Sequence, residues 1–225
     1  MAKLRFMSIR LSPALTFAEI PSFRGAVIAA AGLSSHLFHN HRGEGYDYRY
    51  PLVQYRTMGG KAGLVCFNEG IEQMQELLGS SFLLSPQRFG RRIERVAIED
   101  MRINEFELRV LESPVRYHIT RWTAFNQENY RQWQSLESDE ERIYKLRRQL
   151  IGNIISFAKG IGWQIDGRIE VDIDAESLDI RHSLYKGQQL ISINCDFEAN
   201  IFLPRGIAIG KGVALGRGVI SIPRE

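Results

Sequence analysis

The sequence predicts an α+β protein built from two tandem ferredoxin-like units, each β-α-β-β-α-β and RRM-like in plan. Three observations predict it. Segments with strand alternation and segments with helical apolar spacing succeed one another in that order up to about residue 103. A comparable succession starts again after residues 106–113. Glycine, proline and capping residues fall where such elements must begin and end.

Taken in order, residues 3–11 alternate like a strand, and 23–32 (FRGAVIAAAG) read as a buried helix rich in small apolar residues. A polar, histidine-rich loop comes next. Residues 48–57 and 63–67 read as two strands joined through Met58-Gly59-Gly60-Lys61, a glycine turn. Asn68 is placed to cap a helix in which Ile71, Met74, Leu77 and Leu78 recur at helical spacing, ending at Gly79. Residues 91–103 alternate again. In the second half, 115–120 form a strand opened by Ser113-Pro114, and 126–136 and 139–159 read as helices. The second helix carries Ile143, Leu146, Leu150, Ile151, Ile154 and Phe157 on one stripe, and Gly160 and Gly162 end it. Residues 168–180 and 190–203 are strands, and 213–222 close the sheet. The predicted domains are 1–108 and 109–225.

The chain has 225 residues, 44% hydrophobic and 24% charged, the balance of a globular protein able to bury a core without staples. Cys66 and Cys195 match no metal or redox spacing, so they read as buried thiols, in keeping with a reducing cytoplasm. No signal peptide and no run of ~20 apolar residues for a membrane is expected. Net charge is only +3, yet six of the 29 basic residues are lysines and 23 are arginines. The planar guanidinium fork matches phosphate and stacks on bases, which favours an anionic partner. A merely arginine-rich surface is the competing reading.

Two segments carry candidate chemistry. The first is His36-Leu37-Phe38-His39-Asn40-His41, trailed by glycines and tyrosines between a helix and a strand. Imidazole takes and gives protons near neutral pH. Two such rings could divide an RNA transesterification, one accepting the 2′-hydroxyl proton and the other protonating the leaving 5′-oxygen. Three readings compete. His-x-His can bind zinc, but only Glu44 and Asp47 lie near and no distant group has helper spacing. The letters His39-Asn40-His41 match the name of a metal-dependent nuclease class by coincidence. A solvated polar loop explains the cluster equally well. His118 and His182 stand alone in strand-like stretches and read as structural.

The second segment, residues 203–219, holds five glycines with Arg205, Lys211 and Arg217. Glycine lets backbone amides approach a phosphate, and Gly210-Lys211-Gly212 and Gly216-Arg217-Gly218 place a cation beside them. This suits a phosphodiester backbone or a splayed single strand. It is neither a P-loop nor a Rossmann turn. A glycine-laden hairpin that only turns is the competing reading.

Together these features resemble the glycine-rich-loop endoribonucleases that process precursor CRISPR RNA, in the RAMP superfamily. The resemblance runs nearly end to end. It rests on His39 and His41 after the first helix, on Tyr48-Arg49-Tyr50-Pro51-Leu52-Val53-Gln54-Tyr55-Arg56, and on the next strand and helix start. Further on it rests on Leu111-Glu112-Ser113-Pro114-Val115, the helix around residues 150–159 and the terminal loop. It implies tandem ferredoxin-like folds, no cofactor and no metal, and cleavage within the CRISPR repeat to give crRNA with 2′,3′-cyclic phosphate and 5′-hydroxyl ends.

Catalysis would fall to His39 and His41, with His36 less central. There is no lysine between Lys3 and Lys61, so Tyr46 and Tyr48 are candidates for the assisting role that a lysine or tyrosine fills in some relatives; Arg42 would hold the phosphate. RNA contacts would come from Gly210, Lys211, Gly212, Gly216, Arg217 and Gly218. Arg88, Arg91 and Arg92 form a further basic cluster that would grip the backbone, or a solvated turn. Partners would be the repeat RNA, with effector-complex subunits and a second copy of the chain as further candidates, and no membrane. The alternative function is a non-catalytic RNA-binding RAMP subunit. Tight repeat binding without turnover would favour it.

Overall fold

Two sheets that share one four-strand order organise the chain. The computed structural model describes residues 2–31, 41–42, 45–46, 50–79, 96–185 and 188–223. Residues 3–106 with 214–216 form one compact unit, and residues 107–213 with 217 onward form most of the other.

In the first unit, β1 (Ala2–Ala14) leads through a 3-10 turn to α1 (Ile20–Ala31). The short strands β2 (His41–Arg42) and β3 (Gly45–Tyr46) come next, then β4 (Val53–Met58), β5 (Lys61–Phe67), α2 (Glu69–Gly79) and β6 (Ile98–Leu108). The sheet order is β4-β5-β1-β6, with β2 and β3 forming a separate ladder. Leaving that ladder aside, this is the ferredoxin-like arrangement: the first and third strands lie side by side at the centre.

The β4–β5 turn is tighter than the four residues read from the sequence. Met58 pairs with Lys61, and Gly59 and Gly60 alone make the turn at φ 60° and 75°. Two positive φ values in a two-residue hairpin match the right-handed twist of the flanking strands. Asn68, immediately before α2, accepts from the Ile71 amide through its carbonyl (2.9 Å) and also reaches outside its own helix. Its side chain accepts from the Arg5 amide (3.2 Å), and its own amide donates to the Arg5 carbonyl (3.1 Å). It therefore ties the start of α2 to β1.

Burial selects the faces. Met7, Ile9 and Leu11 of β1 and Leu64 and Cys66 of β5 pack with Phe23 and Val27 of α1 and Ile71 and Met74 of α2. Tyr55 joins this core edge-to-face against Phe23 (5.8 Å). Burial pushes its phenol well above the usual range, and its hydroxyl finds no hydrogen-bond partner among the described residues. A buried hydroxyl without a partner has lost its water and gained nothing. Tyr55→Phe is therefore expected to stabilise the protein by about 1 kcal/mol. Urea denaturation checks this; a clear loss of stability would mean that the hydroxyl is bonded in solution.

The second unit comprises β7 (Val110–Trp122), α3 (Gln127–Gln134), α4 (Asp139–Gly160), β8 (Val171–Ile173), β9 (Asp179–Tyr185), β10 (Gln188–Ile201) and β11 (Val219–Ser221). Its order is β11-β7-β10-β8, and β9 pairs with another part of β10. Asn126 caps α3 by accepting from the Asn129 amide (2.7 Å), and Ser138 caps α4 by accepting from the Glu141 amide (3.2 Å). Gly162, at φ 76°, closes α4: its amide reaches the Lys159 carbonyl (3.2 Å) and the Trp163 amide reaches Ala158 (2.8 Å). Leu146, Leu150, Ile154 and Phe157 are the buried stripe.

The second unit departs from a strict repeat in two places. Residues 168–180 are not one strand, because Asp174 caps a 3-10 turn at Ala175–Ser177 between β8 and β9. More consequentially, no helix longer than a 3-10 turn, at Val213–Leu215, joins β10 to β11; the glycine-rich stretch takes that place. Both cysteines are buried, as expected, and burial pushes the Cys195 thiol up to about 12. No described helix is long and apolar enough to cross a membrane.

Candidate functional site

Beyond α1, the described chain resumes at β2 and β3. Their backbone register sets His41 opposite Tyr46 and Arg42 opposite Gly45. His36, His39 and Tyr48 lie outside the described residues, as do Arg88, Arg91 and Arg92. The structure thus brings two members of the predicted catalytic set, His41 and Tyr46, to one ladder position.

Next along the chain lies a buried polar network. Gln54 donates to the Tyr50 hydroxyl (2.8 Å), and its carbonyl oxygen accepts from Arg56 (2.6 Å). Gln54 and Arg56 are 0% and 5% exposed. Burial lowers the Arg56 guanidinium to about 10. Tyr50 also packs on Phe67, with ring centroids 5.9 Å apart. The tyrosine- and arginine-rich run is therefore an anchor: it fixes the chain just after the histidine-rich segment to the sheet.

The glycine-rich segment leaves β10 at Ile201 and reaches β11 at Val219. Its predicted RNA-contacting residues separate by exposure. Lys211 and Gly212 are exposed, whereas Gly216, Arg217 and Gly218 are buried. The Lys211 amide donates to the Thr123 carbonyl (3.3 Å), which holds the lysine at the turn. A Cβ on Gly212 would meet the Arg217 side chain at 2.8 Å, so that side chain lies across the glycine. Gly210 (φ 98°) leaves room for Trp122: a Cβ there would sit 2.9 Å from the indole nitrogen, which donates to Asn153 (2.8 Å). In the N-terminal unit, Leu215 packs against the core, and a Cβ on Gly216 would approach Arg56, Ile20 and Tyr55 at 3.2–3.3 Å.

The described histidines include one with a specific acid partner. His118 Nδ1 lies 2.6 Å from Asp196 Oδ1. Read from the sequence, His118 is only a strand residue. The pairing depends on the β7–β10 register, which sets residues 78 positions apart side by side. His182 is exposed and lies edge-on to Tyr130 (6.2 Å).

Comparison with known proteins covers nearly the whole chain. Residues 2–107 match the family model of the Cas6b N-terminal domain, and residues 109–222 match that of the Cas6b C-terminal domain. An uncharacterized protein of Methanocaldococcus jannaschii is 28% identical over 106 residues, 46% of this chain and 69% of that protein. Among solved structures, a crystal structure of Cas6b aligns with TM-score 0.83 at 21% identity, covering 99% of this chain and 100% of that one. The CRISPR RNA processing endoribonuclease Cas6b aligns with TM-score 0.73 at 21% identity, covering 97% and 98%. A RAMP protein described as binding different RNA substrates aligns with TM-score 0.51 at 11% identity, covering 99% of both chains.

Proposed function

Because the chain belongs to the Cas6b family, we propose that it is an endoribonuclease that processes CRISPR repeat RNA. The match of both halves to Cas6b domains carries this reading. One solved structure of the same fold is named as a CRISPR RNA processing endoribonuclease, which supplies the substrate class.

In the proposed mechanism His39 and His41 act as the acid–base pair. One ring takes the proton of the ribose 2′-hydroxyl as that oxygen attacks the adjacent phosphorus. The other gives a proton to the departing 5′-oxygen. The phosphodiester bond breaks as the 2′,3′-cyclic phosphate forms, and the product 5′ end is a hydroxyl. No group outside the protein and the RNA is consumed. Tyr46 and Tyr48 would assist at the phosphate, with Arg42 as the cation that neutralises its charge. The register of His41 opposite Tyr46 supports this assignment. The domain assignment that goes with it puts catalysis in residues 1–108 and RNA retention in residues 109–225. Within the glycine-rich segment, Lys211 and the turn at Gly210 and Gly212 are best placed to meet a strand. Arg217, whose side chain lies across Gly212, would shape that turn from its place between Gly216 and Gly218, and Arg88, Arg91 and Arg92 would add backbone contacts.

The test is incubation with repeat RNA in excess EDTA, and then with a repeat carrying one 2′-deoxy substitution on the 5′ side of the cut. Cleavage should persist in EDTA and stop at the deoxy site. A need for metal, or cutting at the deoxy position, would remove the mechanism. Binding with no cutting of either RNA would point to the non-catalytic subunit.

A further inference from the structure

The β11-β7-β10 register sets three residues in a row across the second sheet: Ser221, His118 and Asp196. Alternation along the strands fixes which way they face. Tyr117, Ile119, Cys195 and Phe197 are buried in the core, so His118 and Asp196 occupy the opposite face. That face contains a cavity of about 470 Å³, lined by His118, Thr120, Asp196, Arg205 and Ser221 together with Ile222 and Pro223. A volume of this size is in the range of small-ligand sites.

Hydrogen bonding decides what the cavity can hold. Asp196 is the acid in its wall, but both of its oxygens are committed. Oδ1 faces His118 Nδ1 at 2.6 Å, and Oδ2 accepts from Arg116 at 3.0 Å. Arg116 is itself shared with Asp174 (3.1 Å), and the Asp196 amide donates to the Ser177 hydroxyl (2.8 Å). The network fixes the imidazole from behind through one ring nitrogen and leaves the other for a ligand. The remaining polar side chains on the wall are hydroxyls and a cation: Thr120, Ser221 and the exposed Arg205. The Ser221 hydroxyl touches the His118 carbonyl only at 3.5 Å, the limit of a hydrogen bond. Two hydroxyls and a guanidinium on one wall, with both oxygens of the local carboxylate already taken by His118 and Arg116, match a singly charged oxyanion.

We propose that this cavity is a phosphodiester-binding subsite, gripping the RNA strand at a point separate from the turn at residues 210–212. The subsite presupposes that the chain acts on RNA, as argued under its proposed function. Arg205 supplies the charge and Thr120 and Ser221 the short hydrogen bonds, while Asp196 holds the His118 ring beside them as part of the wall.

The experiment is fluorescence anisotropy with the full chain and a labelled synthetic RNA of the CRISPR repeat. A His39→Ala, His41→Ala background keeps the strand intact. Arg205→Ala should weaken binding about tenfold and reduce the slope of log affinity against log salt by about 0.7. Arg205 is exposed, so the variant is expected to fold as the parent does, which thermal melts check. Thr120→Val removes a hydroxyl and His118→Gln removes the ring that Asp196 holds, and each should weaken binding about threefold or more. If Arg205→Ala alone has an effect, the arginine acts only as distant charge and the subsite is overturned. Three unchanged affinities would also overturn it, while leaving the RNA reading intact. A parent chain that does not bind the RNA would remove both.

Discussion

Replacing His39 and His41 together with alanine is expected to slow repeat-RNA cleavage by ~10²–10⁴, with affinity for the repeat nearly unchanged. The expectation comes from the proposed division of labour between the rings. Attack by a 2′-hydroxyl needs a base, and departure of a 5′-oxygen needs an acid, so under this proposal the two residues act as one device. Single substitutions should therefore each cost almost as much as the double, because the losses of a cooperating pair do not add. One ring must be neutral and the other charged in the productive state. The rate should accordingly trace a bell in pH, and the double variant should lose that bell. Single-turnover cleavage and anisotropy on the same preparation separate rate from binding. A double variant that cuts at the parent rate would take the reaction away from this loop. Loss of affinity in proportion to loss of rate would make the histidines binding groups only.

Gly218→Ala is expected to destabilise the protein by about 3 kcal/mol or more, among the larger effects of a single substitution. Gly218 has φ 68°, and a Cβ there would fall 1.9 Å from the Ile209 carbonyl oxygen. The residue cannot retreat, because it is fastened on both sides. Its amide donates to the Arg121 carbonyl (3.1 Å), and its carbonyl accepts from the Ile209 amide (2.9 Å). Making room for a methyl group means breaking these bonds and shifting a segment in which Ile207, Ile209 and Ile220 are fully or nearly buried. Gly59→Ala is the control. It too has positive φ (60°), but a Cβ there meets nothing within 4 Å, so only the left-handed backbone cost of about 1–2 kcal/mol applies. Urea denaturation of the two variants gives the comparison. Equal losses would mean that the loop relaxes around the added carbon.

The fold is legible in the sequence where its signals are local. Alternation in 3–11, the strand at 63–67, the helices read at 126–136 and 139–159 with the stripe from Leu146 to Phe157, and the glycine stop after α4 all correspond to elements that form. Each depends on dihedral preferences and on which face is apolar, properties of a few neighbouring residues. Local signals mislead where a partner far along the chain decides. Asn68 sits where a cap belongs, and its side chain also accepts from the Arg5 amide of β1, a partner that local spacing does not show. Residues 168–180 have the pattern of one strand, but Asp174 and Ser177 bond to the neighbouring β10 and turn the chain.

The same boundary runs through the candidate site. Paired histidines, a tyrosine-rich strand and a glycine-rich terminus can be read from residue order, and with them the family. Which basic residues face outward cannot. Lys211 and Arg217 sit in similar Gly-x-Gly settings, yet one is exposed and the other buried under the loop. His118 gains Asp196 because two strands register at that step, and a slip of one residue would send one strand's side chains to the opposite face. By itself, then, the sequence determined the order and type of most elements and where the candidate proton-transfer residues gather. Only the tertiary structure decided which side chains meet and which reach solvent, because register and burial are set by packing across the whole sheet.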